Sequence, residues 1–115
     1  MSALIASFRH ALRGLGFIIR YERNARLHLL IALGVTIAAF SLDLSSLEMV
    51  AVAFSIVIVF LSEIFNSAIE ELCDLAWPGQ HQKIRHVKDI TAAGVLVAAT
   101  SAAVIGAVIF SRHLF

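Results

Sequence analysis

Long apolar runs alternate with short polar segments along the chain, and their lengths predict helices that cross a membrane. Residues 29–42 and residues 49–62 are uncharged runs of 14 residues each, so either run alone also suits a merely buried helix. Residues 90–111 form a run of 22 residues without a charge. A helix that spans a bilayer needs about 20 mostly apolar residues, so the third run carries the membrane prediction. The two shorter runs reach that length if their helices continue into the polar flanks.

The first twenty residues predict a helix of another kind. At about 100° per residue, their apolar side chains gather on one arc, and Arg9, Arg13 and Arg20 share the other side. The arginines also interrupt the apolar core that a secretory signal peptide requires. We therefore predict an amphipathic helix that lies in the membrane interface, with its cations near anionic lipid phosphates.

The pattern predicts one membrane domain over residues 1–115. Its predicted helices cover residues 1–20, about 24–43, 47–76 and 87–111. Pro78 and Gly79 end the third helix, and a polar loop through His81 and Lys83 leads to the last one.

The distribution of Lys and Arg predicts the orientation in the membrane. Residues 1–28 hold five arginines, residues 66–89 hold three basic residues, and the 43–48 link holds none. By the positive-inside rule, the amino terminus and residues 66–89 face the cytoplasm, whereas the link and the tail at Arg112 lie outside. This alternation requires three spans.

Composition excludes several classes of protein. Hydrophobic residues make up 60% of the chain and charged residues 15%, whereas soluble domains carry about 25% charged residues. The single cysteine, Cys73, excludes an intrachain disulfide and a multi-cysteine zinc site. The chain has no phosphate-binding G-x-x-x-x-G-K-[ST] loop and no G-x-G-x-x-G, and nothing in it indicates nucleic-acid binding. The five histidines are scattered and form no metal motif.

Candidate chemistry begins where the second apolar run ends. Glu63, Asn66, Glu70 and Asp74 are separated by 3, 4 and 4 residues, so they share one face of a continuing helix. A carboxylate within a span costs about 3 kcal/mol, and such residues usually mark a site, a pathway or a pair. The alternative is that these acids only mark the water boundary of an amphipathic helix end.

Further charged residues are predicted to lie in the same layer. Glu22 enters it from the first span, and Lys88 and Asp89 enter it at the start of the third. Several carboxylates with one lysine suit a divalent metal that carries a nucleotide, because Mg²⁺ takes one or two carboxylates plus phosphate oxygens. A structural salt-bridge network is the alternative for Lys88.

The stretch from Glu63 to Asp74 reads E-I-F-N-S-A-I-E-E-L-C-D, and the Lys88–Asp89 pair follows. It resembles the pattern E-x-x-N-[ST]-A-[IL]-E-x-x-x-D of small bacterial integral-membrane lipid kinases, the prokaryotic diacylglycerol kinase and undecaprenol kinase family. The resemblance extends from Ser7 to the end of the third span.

The resemblance implies an all-α integral membrane fold, with three transmembrane helices and an amino-terminal amphipathic surface helix, assembled as a homotrimer. It implies a bacterial inner membrane protein whose amino terminus and active site are cytoplasmic. The implied activity is an ATP- and Mg²⁺-dependent transfer of the γ-phosphate to a membrane lipid hydroxyl. The acceptor is diacylglycerol, giving phosphatidic acid, or undecaprenol, giving undecaprenyl phosphate.

The resemblance also implies roles for single residues. Glu63 matches the catalytic base for the lipid hydroxyl, and Glu22 and Glu70 match the Mg²⁺ ligands. The residues implied at the nucleotide and its metal are Glu22, Asn66, Glu70, Asp74, Lys88 and Asp89, of which Lys88 contacts the ATP phosphates. The segment E-R-N-A-R-L-H, residues 22–28, looks like the undecaprenol kinase branch. The two branches share the catalytic core, so the acceptor stays open.

Two other classes of protein remain as alternatives. One is a non-enzymatic small oligomeric membrane protein, a pore former or proton-coupled transporter, in which Glu63 and Glu70 serve conduction. Conduction favours acids near the middle of the membrane, whereas these extend toward the cytoplasmic side and meet a lysine. The other is a soluble or peripheral helical bundle, which carbonate would extract from membranes.

Overall fold

The computed structural model describes residues 2–115, and these residues form α-helices and no strand. The helices are α1 (Ser2–Tyr21), α2 (Arg23–Ser41), α3 (Ser46–Ala76) and α4 (Gln82–Leu114). The molecule measures 51 × 42 × 20 Å. Its smallest dimension is about two helix diameters, so few side chains can be enclosed on all sides.

Three helices, α2, α3 and α4, are long and apolar enough to cross a membrane. At 1.5 Å per residue, α3 and α4 are each more than about 45 Å long, which exceeds the roughly 30 Å hydrocarbon core of a bilayer. One or both ends of each helix therefore extend into the polar layers. Most large apolar side chains of the spans are exposed on the single chain, so their partners are lipid or other protein chains.

Helices α3 and α4 pack against each other more extensively than any other pair. The buried apolar cluster lies where the link between α2 and α3 meets the end of α4, and it contains Ala39, Leu44, Val52 and Ile109. This cluster anchors all three spanning helices at one end of the molecule. The carboxylate stripe lies toward the other end, beyond residue 62.

Polar contacts also connect the helices at the end of the molecule that holds the apolar cluster. Ser45 accepts a hydrogen bond from the Glu48 amide, and the Glu48 side chain accepts one from the Ser45 amide, which closes a capping box at the start of α3. The second carboxylate contact of Glu48 is with His113, whose Nε2 lies 2.9 Å from Oε1. The link before α3 and the tail of α4 therefore lie at the same end, as the charge pattern requires.

Helix α4 begins at Gln82, earlier than the predicted start near residue 87. The His81 side chain caps it, because Nδ1 accepts a hydrogen bond of 3.1 Å from the Lys83 amide. The residues assigned to a polar loop after His81, including Lys83, Arg85 and His86, are therefore helical. Gln, Lys and Arg are good helix formers, and their polarity at a water-facing helix end was the wrong signal for a loop.

Helices α1 and α2 meet at a joint of one residue, Glu22. The Glu22 side chain makes no capping hydrogen bond, so its carboxylate is free for other contacts. Arg26 of α2 reaches back instead: its Nη1 donates to the carbonyl oxygens of Ile19 at 3.1 Å and Arg20 at 2.8 Å. These carbonyls have no partner within α1, and a cation at a helix carboxyl end is favourable.

We expect Arg26→Ala to loosen the end of α1, because the last carbonyls of that helix lose their donor. Amide hydrogen exchange of the protein in lipid nanodiscs should become faster for residues 15–22 than in the wild-type chain. Arg23→Ala is the matched control, since Arg23 is exposed at the same joint and should leave exchange unchanged. Equal exchange in both variants would contradict the assigned role of Arg26.

Candidate functional site

The predicted polar stripe lies on an unbroken helix, because α3 continues to Ala76. Burial decreases along it: Glu63 is 2% exposed and Asn66 8%, Glu70 is half-buried and Asp74 is exposed. A simple water boundary does not account for Glu63, which is the most deeply buried large side chain of residues 2–115. The stripe therefore runs from the interior of the helix packing out to water.

Three other titratable side chains lie near the Glu63 carboxylate or act on it. His28 of α2 is nearest, with Nε2 at 3.6 Å from Glu63 Oε2. The charges of Glu22, at the joint before α2, and of Glu70, two turns further along α3, also act on this carboxylate. Three acidic side chains thus share one region, and they repel one another unless a cation joins them.

Two buried polar atoms next to Glu63 have no hydrogen-bond partner among the described residues. They are Asn66 Oδ1 and Ser67 Oγ. An unpaired buried polar atom costs about 1–3 kcal/mol, so such atoms usually have a partner in the working state of a protein. Asn66 Oδ1 can accept a hydrogen bond from a hydroxyl or coordinate a hard cation.

The donor set of this region fits Mg²⁺ bound together with phosphate. No cluster of three or more His, Cys, Asp or Glu in residues 2–115 forms a preassembled metal cage. Mg²⁺ requires only one or two protein carboxylates when phosphate oxygens and water complete its shell. Glu22 and Glu70 supply carboxylates, and the unpartnered Asn66 oxygen shows that acceptor capacity is left over.

A second, polar pocket of about 400 Å³ lies at the turn between α3 and α4. Lys88 Nζ is 2.5 Å from Asp74 Oδ1 on one wall, and Asp89 lies on the same wall. The residues that line this pocket are Asp74, Pro78, Gly79, Gln80, His81, Ile84, Arg85, Lys88 and Asp89. Lys88 and Arg85 therefore bring two cations to this pocket, and Asp74 and Asp89 bring two carboxylates.

The seven predicted site residues fall into two neighbouring groups. The first group is the buried Glu63 with Glu22, Asn66 and Glu70, which act on its carboxylate, and the second is Asp74, Lys88 and Asp89, which line the polar pocket. The charge of Glu70 also acts on Lys88, so Glu70 stands between the groups.

Sequence reasoning missed three residues that the structure adds to these groups. His28 was counted among the scattered histidines, because nothing in its local sequence shows which way α2 is turned. Arg85 and His81 were placed in a loop, although both line the polar pocket. For Arg85 a signal existed: on a helix that starts before residue 85, it lies one turn before Asp89.

An apolar groove of about 850 Å³ runs between α2, α3 and α4. Aliphatic and aromatic side chains line it, with small residues of α4 such as Ala99, Ala103 and Gly106 on one wall. His28 is the one ionisable residue among those lining it, and His28 contacts Glu63. The groove thus meets the buried carboxylate at His28, and the polar pocket lies farther along α3, at Asp74.

Comparisons with known proteins agree with this combination of features. The sequence model of the family described as prokaryotic diacylglycerol kinase matches residues 9–110. A diacylglycerol kinase from Synechocystis sp. is 33% identical over 105 residues, which are 90% of this chain and 59% of that protein. An undecaprenol kinase from Bacillus subtilis is 34% identical over 114 residues, which are 99% of this chain and 93% of that protein. The chain therefore spans about three fifths of the first relative and nearly all of the second.

We expect Glu63→Gln to raise the midpoint of thermal unfolding at pH 8. The substitution keeps the size of the side chain. It removes a charge that is buried and that the acids Glu22 and Glu70 repel. Differential scanning fluorimetry in detergent gives the midpoint, and Glu71→Gln on the exposed face of α3 is the control. A lower midpoint for Glu63→Gln would mean that the charge stabilises the fold.

Proposed function

The chain belongs to the prokaryotic diacylglycerol kinase family, and we propose that it is a lipid kinase with ATP as phosphoryl donor. It transfers the γ-phosphate of ATP to the hydroxyl of a membrane lipid, diacylglycerol or undecaprenol. The observation that carries this proposal is the buried Glu63 carboxylate, which contacts His28 on the wall of an apolar groove and shares its helix face with Asp74 in a polar pocket. A reaction between a lipid and a nucleotide needs one site that reaches both media.

Glu63 is the general base for the acceptor hydroxyl. Its carboxylate is buried and its neighbour His28 lines the apolar groove, so we expect a lipid alcohol to approach it from the groove. A general base must lie within hydrogen-bond reach of the proton that it removes. Asn66, one turn further along α3, has a free Oδ1 that can accept a hydrogen bond from the same alcohol or hold the metal.

Glu22 and Glu70 are the proposed Mg²⁺ ligands. Mg²⁺, when bound, neutralises charge on the β- and γ-phosphates of ATP. The two carboxylates approach from separate segments, the α1–α2 joint and the middle of the α3 stripe. They hold the nucleotide end of the reaction next to Glu63 and leave Glu63 itself free as the base.

Lys88 of α4 is the proposed contact to the ATP phosphates, with Asp74 and Asp89 beside it. Asp74 holds the Lys88 ammonium at the mouth of the polar pocket, where phosphate oxygens compete for the same donor. Lysine serves phosphate as a compact charge with three donors. The pair therefore positions a cation and is not required to stabilise the fold, since both side chains are substantially exposed.

The membrane location and the topology of the protein are also part of the proposal. Helix α1 lies at the membrane surface, the amino terminus and the stripe face the cytoplasm, and the membrane is the bacterial inner membrane. Assembly as a homotrimer belongs to the same proposal, and the exposed apolar faces of the spans are available for contacts between copies.

Purified protein in mixed micelles should transfer labelled γ-phosphate from ATP to diacylglycerol, to undecaprenol or to both, and only with Mg²⁺ present. The lipid with the higher kcat/KM is identified as the preferred acceptor. Glu70→Gln should lower kcat/KM about a hundredfold, because one carboxylate at the metal is lost. Glu71→Gln, the adjacent exposed position, should retain wild-type activity. A folded wild-type protein that phosphorylates neither lipid would refute the kinase proposal and favour a pore or transporter.

Lys88→Met should raise the KM for ATP and lower kcat/KM for ATP about tenfold to a hundredfold, as expected for loss of a charge-assisted contact. The KM for the lipid should stay constant, and so should the midpoint of unfolding. Lys83→Met is the control, since the Lys83 side chain is exposed and lies outside the polar pocket. An equal rise in the KM for ATP and the KM for the lipid would contradict a specific role of Lys88 at the ATP phosphates.

A further inference from the structure

His28 lies beside the proposed base Glu63, and neither the proposed metal site nor the proposed phosphate site uses it. It comes from α2, whereas Glu63 comes from α3, and His28 Nε2 lies 3.6 Å from Glu63 Oε2. This distance is within ion-pair range and slightly longer than a hydrogen bond between nitrogen and oxygen. Catalytic hydrogen bonds are often long in proteins without substrate and shorten when substrate binds.

Glu63 and His28 differ in exposure, and this difference affects where a proton taken up by Glu63 can go. The Glu63 side chain is 2% exposed and the His28 side chain 21%. A proton that Glu63 removes from an alcohol therefore has no direct path to water. The adjacent imidazole is partly exposed on the wall of the groove, and it is the ordinary side chain for proton transfer near neutral pH.

The other charged groups around Glu63 do not offer this path. Glu22 at the α1–α2 joint and Glu70 on α3 act on Glu63 as negative charges, and each is committed to the proposed metal. Lys88 of α4 contacts Asp74. Of the groups that act on Glu63, only His28 can take up a proton and become a cation that the acidic neighbours stabilise.

We propose that His28 is a positioning residue for phosphoryl transfer, which orients the Glu63 carboxylate and receives from it the proton of the lipid hydroxyl. This inference rests on the proposed function. The acceptor O–H bond breaks, its oxygen forms a bond to the γ-phosphorus, and the bond from that phosphorus to the bridging oxygen breaks, so that ADP leaves with the electron pair. The proton passes to Glu63, then to Nε2 of neutral His28, and then to water.

The pH dependence follows from the pair. If Glu63 or His28 already carries a proton before the reaction, the proton of the lipid hydroxyl cannot be passed on, and kcat falls. In the His28→Gln variant, only protonation of Glu63 blocks this proton transfer. The first proton binds more readily to two coupled bases than to one, so the acidic limb of the kcat profile should lie at lower pH in the variant than in the wild type.

The test measures kcat against pH for lipid phosphorylation by the wild type, His28→Gln and His28→Asn in mixed micelles. We expect kcat at pH 7.5 to fall about tenfold to a hundredfold, with the KM for ATP unchanged and the acidic limb moved to lower pH. Added imidazole should partly restore kcat in His28→Ala, because it supplies the missing proton acceptor. His86→Gln, an exposed histidine outside both the groove and the polar pocket, is the matched control and should match the wild type.

The outcomes separate this inference from the proposed function. Unchanged kcat and an unchanged acidic limb in His28→Gln would overturn the role of His28 while the kinase stands. A lower kcat with an unmoved limb and no imidazole effect would also overturn it, since packing alone explains that result. Absence of lipid phosphorylation by the wild type would overturn the proposed function, and this inference with it.

Discussion

The burial of one carboxylate on a membrane-spanning helix is the constraint on which the arrangement depends. Glu63 is 2% exposed, in a chain that encloses very few side chains on all sides. An ionised carboxylate in such surroundings is costly, and the packing of α2 against α3 places the His28 imidazole 3.6 Å from it. The position of α2 therefore decides which side chain is nearest to Glu63.

The stripe on α3 connects two different surroundings. Glu63 contacts His28 on the wall of the apolar groove, and Asp74 lines the polar pocket at the α3–α4 turn. The decreasing burial along one face of α3 provides this transition with a single straight helix. Because successive polar positions of the stripe are three or four residues apart, each lies farther toward water than the one before it.

Much of the architecture could be predicted from the sequence, because hydrophobic periodicity and run length are local properties. They indicated three spans and placed Glu63, Asn66, Glu70 and Asp74 on one face. Two features could not be predicted in this way. The rotation of α2, which turns His28 toward Glu63, is set by packing between helices, and the capping bond of His81 extends α4 into residues whose polarity suggested a loop. The roles of the single site residues were implied by resemblance and await the measurements described above.

The contact between Glu48 and His113 bears on how firmly each spanning helix is held. It joins residues 65 positions apart, so α3 and α4 are connected at one end by the turn after Trp77 and at the other by this pair. They also share the most extensive interface, whereas the interface of α2 with α3 is smaller. The Glu63–His28 contact depends on that smaller interface. A displacement of α2 would therefore separate His28 from Glu63 and leave the α3–α4 hairpin intact.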